Sequence, residues 1–204
     1  REFEEREIFR PLGMRRSALG LGEMQLDSTV RVGVGGTAAT NPREEEEYGG
    51  NSRYWRDQGH PWGGMHSSAE DLSILLRALL NGGSYAGHTV WSPAAVHAMT
   101  TNQNGAEVPK APWGLGWGLR DSLVWTFFGE LVSPATFGHV GATGTVAWAD
   151  PVSDVTCVIL TNAMVEEGAL LKRISNVVAG ACDVVDPPGV GGGGIQAWSY
   201  TARL

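Results

Sequence analysis

The clearest pattern of apolar positions lies between residues 67 and 81. Leucines recur there at helical spacing, which predicts an amphipathic helix with one buried face. The positions are Leu72, Leu75, Leu76, Leu79 and Leu80. Ser67 or Ser68 can cap the helix, Glu70 or Asp71 would complete a capping box, and Gly82-Gly83 ends the pattern. We assign the stripe to the core and reject both serines as nucleophiles, because no lysine or histidine follows within one helical turn.

A second pattern predicts a β-hairpin. Residues 145–149 and 155–160 are two apolar, β-branched runs, and the turn-rich segment Asp150-Pro151-Val152-Ser153-Asp154 separates them. Such an arrangement is typical of two antiparallel strands joined by a five-residue loop.

Weaker patterns predict further elements. Helices are expected over residues 2–10, ended by Pro11, over residues 93–99 after Ser92, and over residues 166–181. The inner face of the last helix would carry Ala169, Leu170, Ile174, Val177 and Val178. Large residues alternate with glycine over residues 113–119 and predict a strand with Trp113 and Trp117 on one face. Residues 124–131 form a further strand or a cleft loop.

Residues 20–62 show no lasting periodicity, which predicts a long loop, and loops of this length tend to be functional or disordered. The acidic run at residues 44–47 is interpreted as a solvated turn. Beyond residue 186, Pro187-Pro188-Gly189 and the glycine run at residues 191–194 predict a flexible linker and tail. The expected organisation is one domain portion over residues 1–186, followed by a linker and tail over residues 187–204.

Composition excludes several classes of function. With 204 residues and 42% hydrophobic residues, the chain can bury the core of one globular domain. A net charge of -7 with scattered basic residues argues against a nucleic-acid partner. No apolar run is long enough to span a bilayer, and the charged start lacks a signal-peptide pattern. Because the chain does not begin with Met, we expect it to begin inside a longer protein.

Cysteine and histidine patterns indicate no metal or cofactor. Cys157 and Cys182 are interpreted as small buried hydrophobic residues, although a disulfide between them is conceivable from their spacing. The five histidines show no short ligand spacing, and no Cys-x-x-Cys occurs.

The most unusual segment precedes the predicted hairpin. His139-Val140-Gly141-Ala142-Thr143-Gly144 places two glycines three residues apart beside a lone histidine. Glycines let a backbone come close to a ligand, and a strand edge with free N–H groups can donate to a developing oxyanion.

This segment resembles the third active-site motif of class C β-lactamase and penicillin-binding-protein-like serine hydrolases, in which lysine or histidine, a small residue and glycine follow one another. Further landmarks of that family occur in the same order. They are Pro11-Leu12-Gly13-Met14, residues 63–72, Gly114-Leu115-Gly116-Trp117 and Leu160-Thr161-Asn162. The resemblance covers about residues 5–180 and implies the C-terminal half of an α+β fold, with an antiparallel β-sheet of about four strands flanked by helices.

The resemblance also implies roles for residues. His139 would stand for the third-motif lysine and assist proton transfer, Gly141 would keep the strand approachable, and the backbone N–H of Ala142 would be one of two oxyanion donors. Val140 and Thr143 would lie at the substrate, with Val140 lacking the usual threonine hydroxyl. The alternative for His139 is a histidine hydrogen-bonded beside a strand end.

Residues outside the motif are expected to line the cleft. Asn162 would help to line it, although an asparagine at a strand end is usually a turn former. Tyr54 and Trp55, with Tyr48 and Trp62, are candidates for its wall, unless they only pack beneath a long loop.

Two motifs of the family are absent. The sequence contains no Ser-x-x-Lys and no Tyr-x-Asn or Tyr-x-Ser, so the nucleophilic serine and the tyrosine base are missing. Because both lie upstream of the Pro-Leu-Gly-Met landmark in the family, we expect an N-terminal truncation, and we expect the isolated fragment to be inactive and to need the other half of its domain.

The full-length parent would transfer or hydrolyse the acyl group of a small ester, amide or peptide through a seryl-enzyme, without a cofactor. A lysine is fully charged at neutral pH and a histidine only in part, so anion capture would be weak. The sequence therefore favours an esterase or peptidase over an efficient β-lactamase. The alternatives are a catalytically inactive scaffold and a Trp-rich carbohydrate-binding module built on Trp113 and Trp117.

Overall fold

The computed structural model describes residues 1–33, 41–124, 126–163 and 168–182. Seven α-helical segments occur in this part of the chain: α1 (Glu2–Glu4), α2 (Arg10–Leu12), α3 (Pro42–Tyr48), α4 (Arg53–Gln58), α5 (Ala69–Leu80), α6 (Pro93–Thr100) and α7 (Ala169–Cys182). Eight strands accompany them: β1 (Ala18–Leu19), β2 (Met65–His66), β3 (Ser84–Tyr85), β4 (His88–Thr89), β5 (Gly118–Leu119), β6 (Phe137–Gly141), β7 (Thr145–Asp150) and β8 (Val155–Leu160).

A four-stranded antiparallel sheet in the order β5-β6-β7-β8 forms the centre of the fold. The predicted hairpin is confirmed as β7 and β8, which pair from Thr145 opposite Leu160 to Asp150 opposite Val155. Its loop is one residue shorter than expected, because Asp150 belongs to the strand. The short pairs β1-β2 and β3-β4 form two separate ribbons.

Helices cover both faces of the central sheet. On one face, Leu76 and Leu79 of α5 and Val96 of α6 pack against Phe137 and Ala149. On the other face, α7 packs against a cluster centred on Trp148, and this cluster contains Phe128, Val132, Val146, Trp148, Cys157, Leu171 and Ala179. Alternation of side chains along β6 and β7 supplies both faces. The α+β class, with an antiparallel sheet flanked by helices, is confirmed.

The helix α5 begins as predicted but without a capping box. Ser68 caps it, because its hydroxyl accepts a hydrogen bond from the Asp71 N–H at 3.2 Å. The Asp71 carboxylate does not reach back to the cap. It instead accepts hydrogen bonds from the Arg16 N–H at 2.7 Å and the Ser17 hydroxyl at 2.8 Å, which joins α5 to the segment that follows α2.

The first helix continues further than the sequence predicts. Segments α1 and α2 are joined by a π-helical turn at Glu5–Phe9, and the helix ends only at Gly13, whose φ is +73°. Pro11 was expected to stop it, because proline lacks an N–H and clashes with the carbonyl four residues earlier. Pro11 instead lies in the last turn of the helix, two residues after the π-helical segment. The helix predicted after Ser92 is confirmed as α6, and the Ser92 side chain caps it.

Residues 113–119 do not form the predicted strand. Only Gly118 and Leu119 are strand residues, and Trp113 turns back to bridge Gly118. Gly116 makes this reversal possible with a φ of +86°. The two tryptophans therefore do not lie on one strand, and each meets a ring of β6 edge to face: Trp117 contacts Phe137 and Trp113 contacts His139. This geometry argues against a flat carbohydrate platform.

Two other predictions need correction, and one alternative is decided. The acidic run at residues 44–47 is solvated but lies in α3, which begins after the Asn41 cap, with Pro42 in its first turn. Residues 124–131, predicted as a strand or a loop, are loop wherever they are described. In α7 the buried positions are Leu171, Ser175 and Ala179, whereas Val177 is 72% exposed. Part of the start predicted for that helix, residues 166 and 167, and the linker and tail over residues 187–204 lie outside the described residues.

Cysteine chemistry has no evident role in this fold. Cys157 and Cys182 form no disulfide, and burial raises the pKa of the Cys157 thiol to about 12. A thiol in this environment is not nucleophilic at neutral pH. Within the described ranges, no helix is long and apolar enough to cross a bilayer.

Asp150 ties the loop before β6 to the end of β7, and it makes a testable contribution to stability. It is 3% exposed, and its carboxylate accepts hydrogen bonds from the Ser133 N–H and hydroxyl at 2.7 and 2.6 Å and from the Val152 N–H at 2.9 Å. Burial by itself raises the pKa of the Asp150 carboxyl, but these hydrogen bonds outweigh it and leave the pKa below its ordinary value.

Asp150→Asn should therefore lower the free energy of unfolding at neutral pH by about 2 kcal/mol, because the amide would turn an N–H toward a buried donor. The folded pKa is depressed, so the stabilisation is complete above the unfolded pKa near 4 and is lost as pH falls through the folded value. Urea unfolding at several pH values measures this. If the difference in unfolding free energy between the wild type and Asp150→Asn does not decrease as the pH falls, the assignment is wrong.

Candidate active site

The predicted motif lies at the end of β6 and in the turn that leads into β7. His139, Val140 and Gly141 are strand residues, and Gly141 pairs with Thr145 to close the hairpin. Between them, residues 142–144 make a three-residue turn, in which the Gly144 N–H donates to the Gly141 carbonyl at 3.0 Å. Gly144 has a φ of +81°, as expected for a type I turn followed by a left-handed residue.

Ala142 is exposed in this turn. Among the hydrogen bonds of the described residues, none uses the Ala142 backbone N–H as donor. The amide is thus neither paired in the sheet nor buried in the core. A backbone donor in this condition can bind an acceptor that comes from outside the chain.

His139 is exposed on the same sheet face as Phe137, the face that α5 and α6 cover further along. It lies opposite Ala147 of β7. Its Nδ1 is 2.8 Å from the Val140 carbonyl oxygen, and its ring meets Trp113 edge to face, with 5.7 Å between ring centroids. The contact with Trp113 has no local signal in the sequence, because the two residues are 26 positions apart.

Val140 does not occupy the position expected of it. Its side chain packs against the cluster around Trp148 on the α7 face, opposite to the face of His139. Neighbouring residues of a strand point to opposite faces, so the two side chains diverge. This placement argues against the expected contact between Val140 and the substrate.

The two glycines of the motif serve different purposes. A Cβ on Gly144 would overlap the Ala163 carbonyl, and its positive φ strains any other residue. Gly144 is therefore required by the turn. A Cβ on Gly141 would overlap the Thr145 hydroxyl, so the missing side chain lets Thr145 of β7 pack closely against the end of β6.

Asn162 lies near the turn at the end of β8. The preceding Thr161 hydroxyl donates to the Gly144 carbonyl at 2.5 Å, which fastens the turn to this segment. Asn162 is exposed, and its carbonyl accepts the Gly33 N–H at 2.6 Å. Thr161, which the sequence marks only as part of a family landmark, thus anchors the motif turn.

Tyr54 and Trp55 lie on α4 and are also exposed. Tyr54 meets Tyr48 edge to face at 5.2 Å, and Trp55 contacts His60 and Trp62. Among the described aromatic residues, no ring contact joins this group to residues 139–143. The structure therefore brings together residues 139–143 and the neighbouring Asn162, whereas Tyr54 and Trp55 form a separate aromatic surface.

Among the described residues, no serine hydroxyl is hydrogen-bonded to a histidine or lysine. The Ser17 and Ser67 hydroxyls are 2.8 Å apart, and Ser17 donates to the buried Asp71. Neither hydroxyl is hydrogen-bonded to a histidine or lysine, so this cluster holds α5 in place and does not activate a nucleophile. No group of three or more potential metal ligands occurs within the described ranges.

Comparisons with known sequences give a consistent result. The sequence model of the beta-lactamase family matches residues 1–180. A putative D-alanyl-D-alanine carboxypeptidase of Escherichia coli O157:H7 is 30% identical over 175 residues, which cover 78% of this chain and 39% of the relative. The protein of the same name from Escherichia coli K12 is 38% identical over 100 residues, 48% of this chain and 22% of the relative.

Solved structures support the fold. A beta-lactamase from Mycobacterium bovis has a TM-score of 0.58 at 24% identity, covering 89% of this chain and 56% of that protein. A hydrolase with promiscuous acyltransferase activity has a TM-score of 0.65 at 20% identity, covering 87% and 50%. The chain thus spans about two-fifths of the longer-matching relative and about half of these structures.

Proposed function

The chain belongs to the beta-lactamase family, as the match over residues 1–180 shows, and we propose that it carries one wall of a serine hydrolase active site. The observation that carries this proposal is the exposed Ala142 amide, which has no partner among the described residues and follows the strand that holds His139. The proposed wall comprises His139, Gly141, Ala142 and Thr143, with Asn162 beside it.

The nucleophile and its tyrosine partner would come from polypeptide outside these 204 residues. The absence of Ser-x-x-Lys and Tyr-x-Asn from the sequence supports this, as does the lack of an activated serine among the described residues. Residues 1–186 would then be part of the catalytic domain, and residues 187–204 a linker and tail. Tyr54 and Trp55 remain proposed cleft residues, although no ring contact joins them to residues 139–143.

The chemistry would be acyl transfer. The serine oxygen would bond to the substrate carbonyl carbon, the carbonyl oxygen would become negative, and the Ala142 N–H would donate to it together with the amide of the serine. His139 would help move the hydroxyl proton toward the leaving group, whose bond to carbon then breaks. Water or an amine would release the acyl group afterwards.

The proposed substrates are esters, amides or peptides. The curated relatives are named putative D-alanyl-D-alanine carboxypeptidases, which supports a peptide as one candidate. His139 stands where the family motif has a lysine. This replacement weakens the capture of a substrate carboxylate, because a charged donor binds an anion more strongly than a neutral one. This preference now rests on His139 alone, since Val140 lies on the other face.

Steady-state kinetics of the full-length gene product test this proposal. We expect kcat/KM for a short-chain p-nitrophenyl ester to exceed that for a penicillin by about tenfold or more. This is the effect of losing one charge-assisted hydrogen bond to the penicillin carboxylate, which the ester does not need. His139→Lys should narrow the difference by improving the reaction with penicillin. Equal or better turnover of penicillin by the wild type would overturn the preference.

Active-site labelling separates the proposal from an inactive scaffold. The full-length product should react stoichiometrically with a fluorophosphonate probe, and the 204-residue chain should not. Stoichiometric labelling of the 204-residue chain would show that the nucleophile is misplaced, and no labelling of the full-length product would favour the scaffold.

A further inference from the structure

The His139 ring is held from two sides. Its Nδ1 lies 2.8 Å from the carbonyl oxygen of Val140, and the ring of Trp113 meets it at 90° with 5.7 Å between centroids. An exposed side chain at the end of a strand would otherwise sample several rotamers. These two contacts select one orientation before any substrate binds.

The contact with Val140 also selects a tautomer. A backbone carbonyl can only accept a hydrogen bond, so Nδ1 must carry the proton when this bond forms. In the neutral ring, Nε2 then holds a lone pair and acts as an acceptor. A lysine in the same place would have three N–H donors and no acceptor.

Trp113 is itself firmly placed. Its backbone N–H donates to the Asn102 side-chain oxygen at 3.1 Å, and its backbone carbonyl accepts a hydrogen bond from the Gln103 N–H at 2.7 Å. Gly118 bridges to it, and a Cβ on Gly118 would come within 2.9 Å of the indole ring. The indole therefore packs directly against the backbone of β5, on the edge strand next to β6.

We propose that Trp113 is a positioning residue that, together with the Val140 carbonyl, holds His139 as the Nδ1–H tautomer with Nε2 as the catalytic proton acceptor. This inference rests on the proposed function of His139. In the reaction, the proton of the attacking hydroxyl passes by way of the tyrosine partner to Nε2 as the oxygen–carbon bond forms. Nε2 returns it to the leaving group as the bond from carbon to that group breaks.

The first test needs no activity and uses the full-length product with ¹⁵N-labelled histidine. Long-range ¹H–¹⁵N spectra at mildly alkaline pH distinguish a protonated Nδ1 from a protonated Nε2, and His139→Ala assigns the signals. We expect a protonated Nδ1 and a ring-current shift on the carbon-bound protons of His139. Trp113→Ala should remove that shift and give a mixture of the two tautomers. Trp113→Phe should retain most of the ring-current shift and most of the Nδ1–H tautomer. A protonated Nε2 in the wild type, or spectra unchanged in Trp113→Ala, would overturn the proposal.

The second test is a double-mutant cycle on the full-length product. Trp113→Ala should lower kcat about tenfold with KM within about twofold, as expected for a group that acts on the transition state through another residue. Trp113→Phe should restore most of the rate. In the His139→Ala background, Trp113→Ala should have no further effect, because both changes remove one interaction. An equal loss in that background would overturn the positioning role.

The two tests fail in different ways. If His139→Ala leaves the ester kinetics of the full-length product unchanged, the proposed role of His139 in catalysis fails. The NMR spectra of the full-length product then still decide whether Trp113 and the Val140 carbonyl fix the ring.

Discussion

Replacing Ala142 with proline in the full-length product is expected to lower kcat by about 100- to 1,000-fold, the loss typical of removing one oxyanion donor. Proline removes the backbone N–H and nothing else that the turn needs. Ala142 is the second residue of a turn closed by the Gly144 N–H and the Gly141 carbonyl, and its φ is not positive. Proline is favoured at that position of a type I turn.

Ala142→Ser is the matched control, because it alters the side chain and keeps the amide. We expect it to retain activity within a few fold. Thermal unfolding of both variants should stay close to that of the wild type, which separates a chemical defect from a folding defect. If Ala142→Pro folds normally and keeps near-normal kcat, Ala142 donates nothing to the oxyanion.

The second large effect concerns the core that holds β6 in place. Trp148 is 0% exposed, packs at the centre of the cluster on the α7 face, and lies opposite Gly138 in the register of β6 and β7. Trp148→Ala should lower the free energy of unfolding by about 3–5 kcal/mol, because it leaves a large cavity. Urea unfolding of the full-length product measures the change.

Two variants divide this effect into its parts. The Trp148 indole N–H donates to the Ser175 hydroxyl at 3.0 Å, and that hydroxyl donates to the Phe127 carbonyl at 3.2 Å. Ser175→Ala leaves the indole N–H unpaired and should cost about 1–3 kcal/mol. Trp148→Phe keeps most of the volume and should cost less than Trp148→Ala. A cost below about 1 kcal/mol for Trp148→Ala would contradict the central place given to this residue.

Local signals in the sequence were sufficient for the elements that frame the site. The leucine repeat with Ser68 before it and Gly82 after it located α5, because helical spacing and capping residues act within one segment. The runs on either side of Pro151 located β7 and β8 for the same reason. Family motifs then placed His139 beside this hairpin, and the structure puts it on β6, paired with β7.

Patterns with two physical meanings led to the errors. Alternating glycine and tryptophan from Trp113 to Leu119 suits a strand, but it also suits a reversal in which Gly116 takes a left-handed conformation. In α7, hydrophobic periodicity favours Val177, whereas the structure buries Ser175 because Trp148 supplies a hydrogen-bond donor from another element. No window of the sequence contains that information.

The geometry of the site was only partly predictable for a related reason. The sequence could nominate His139, Gly141 and Ala142 as neighbours, since they are nearly consecutive. Alternation along a strand would have placed Val140 on the face opposite His139, but the sequence pattern did not assign residues 139–141 to a strand. The contact between Trp113 and the His139 ring could not be predicted, because it depends on how β5 and β6 pair.

A crystal structure of the full-length product inhibited by a phosphonate ester tests the central claim most directly. The phosphonyl oxygen, which stands in for the oxyanion, should lie about 2.7–3.1 Å from the backbone nitrogen of Ala142, with His139 Nε2 toward the leaving-group side. An adduct whose phosphonyl oxygen points away from β6 and is bound by other donors would contradict the assignment of this strand to the active site.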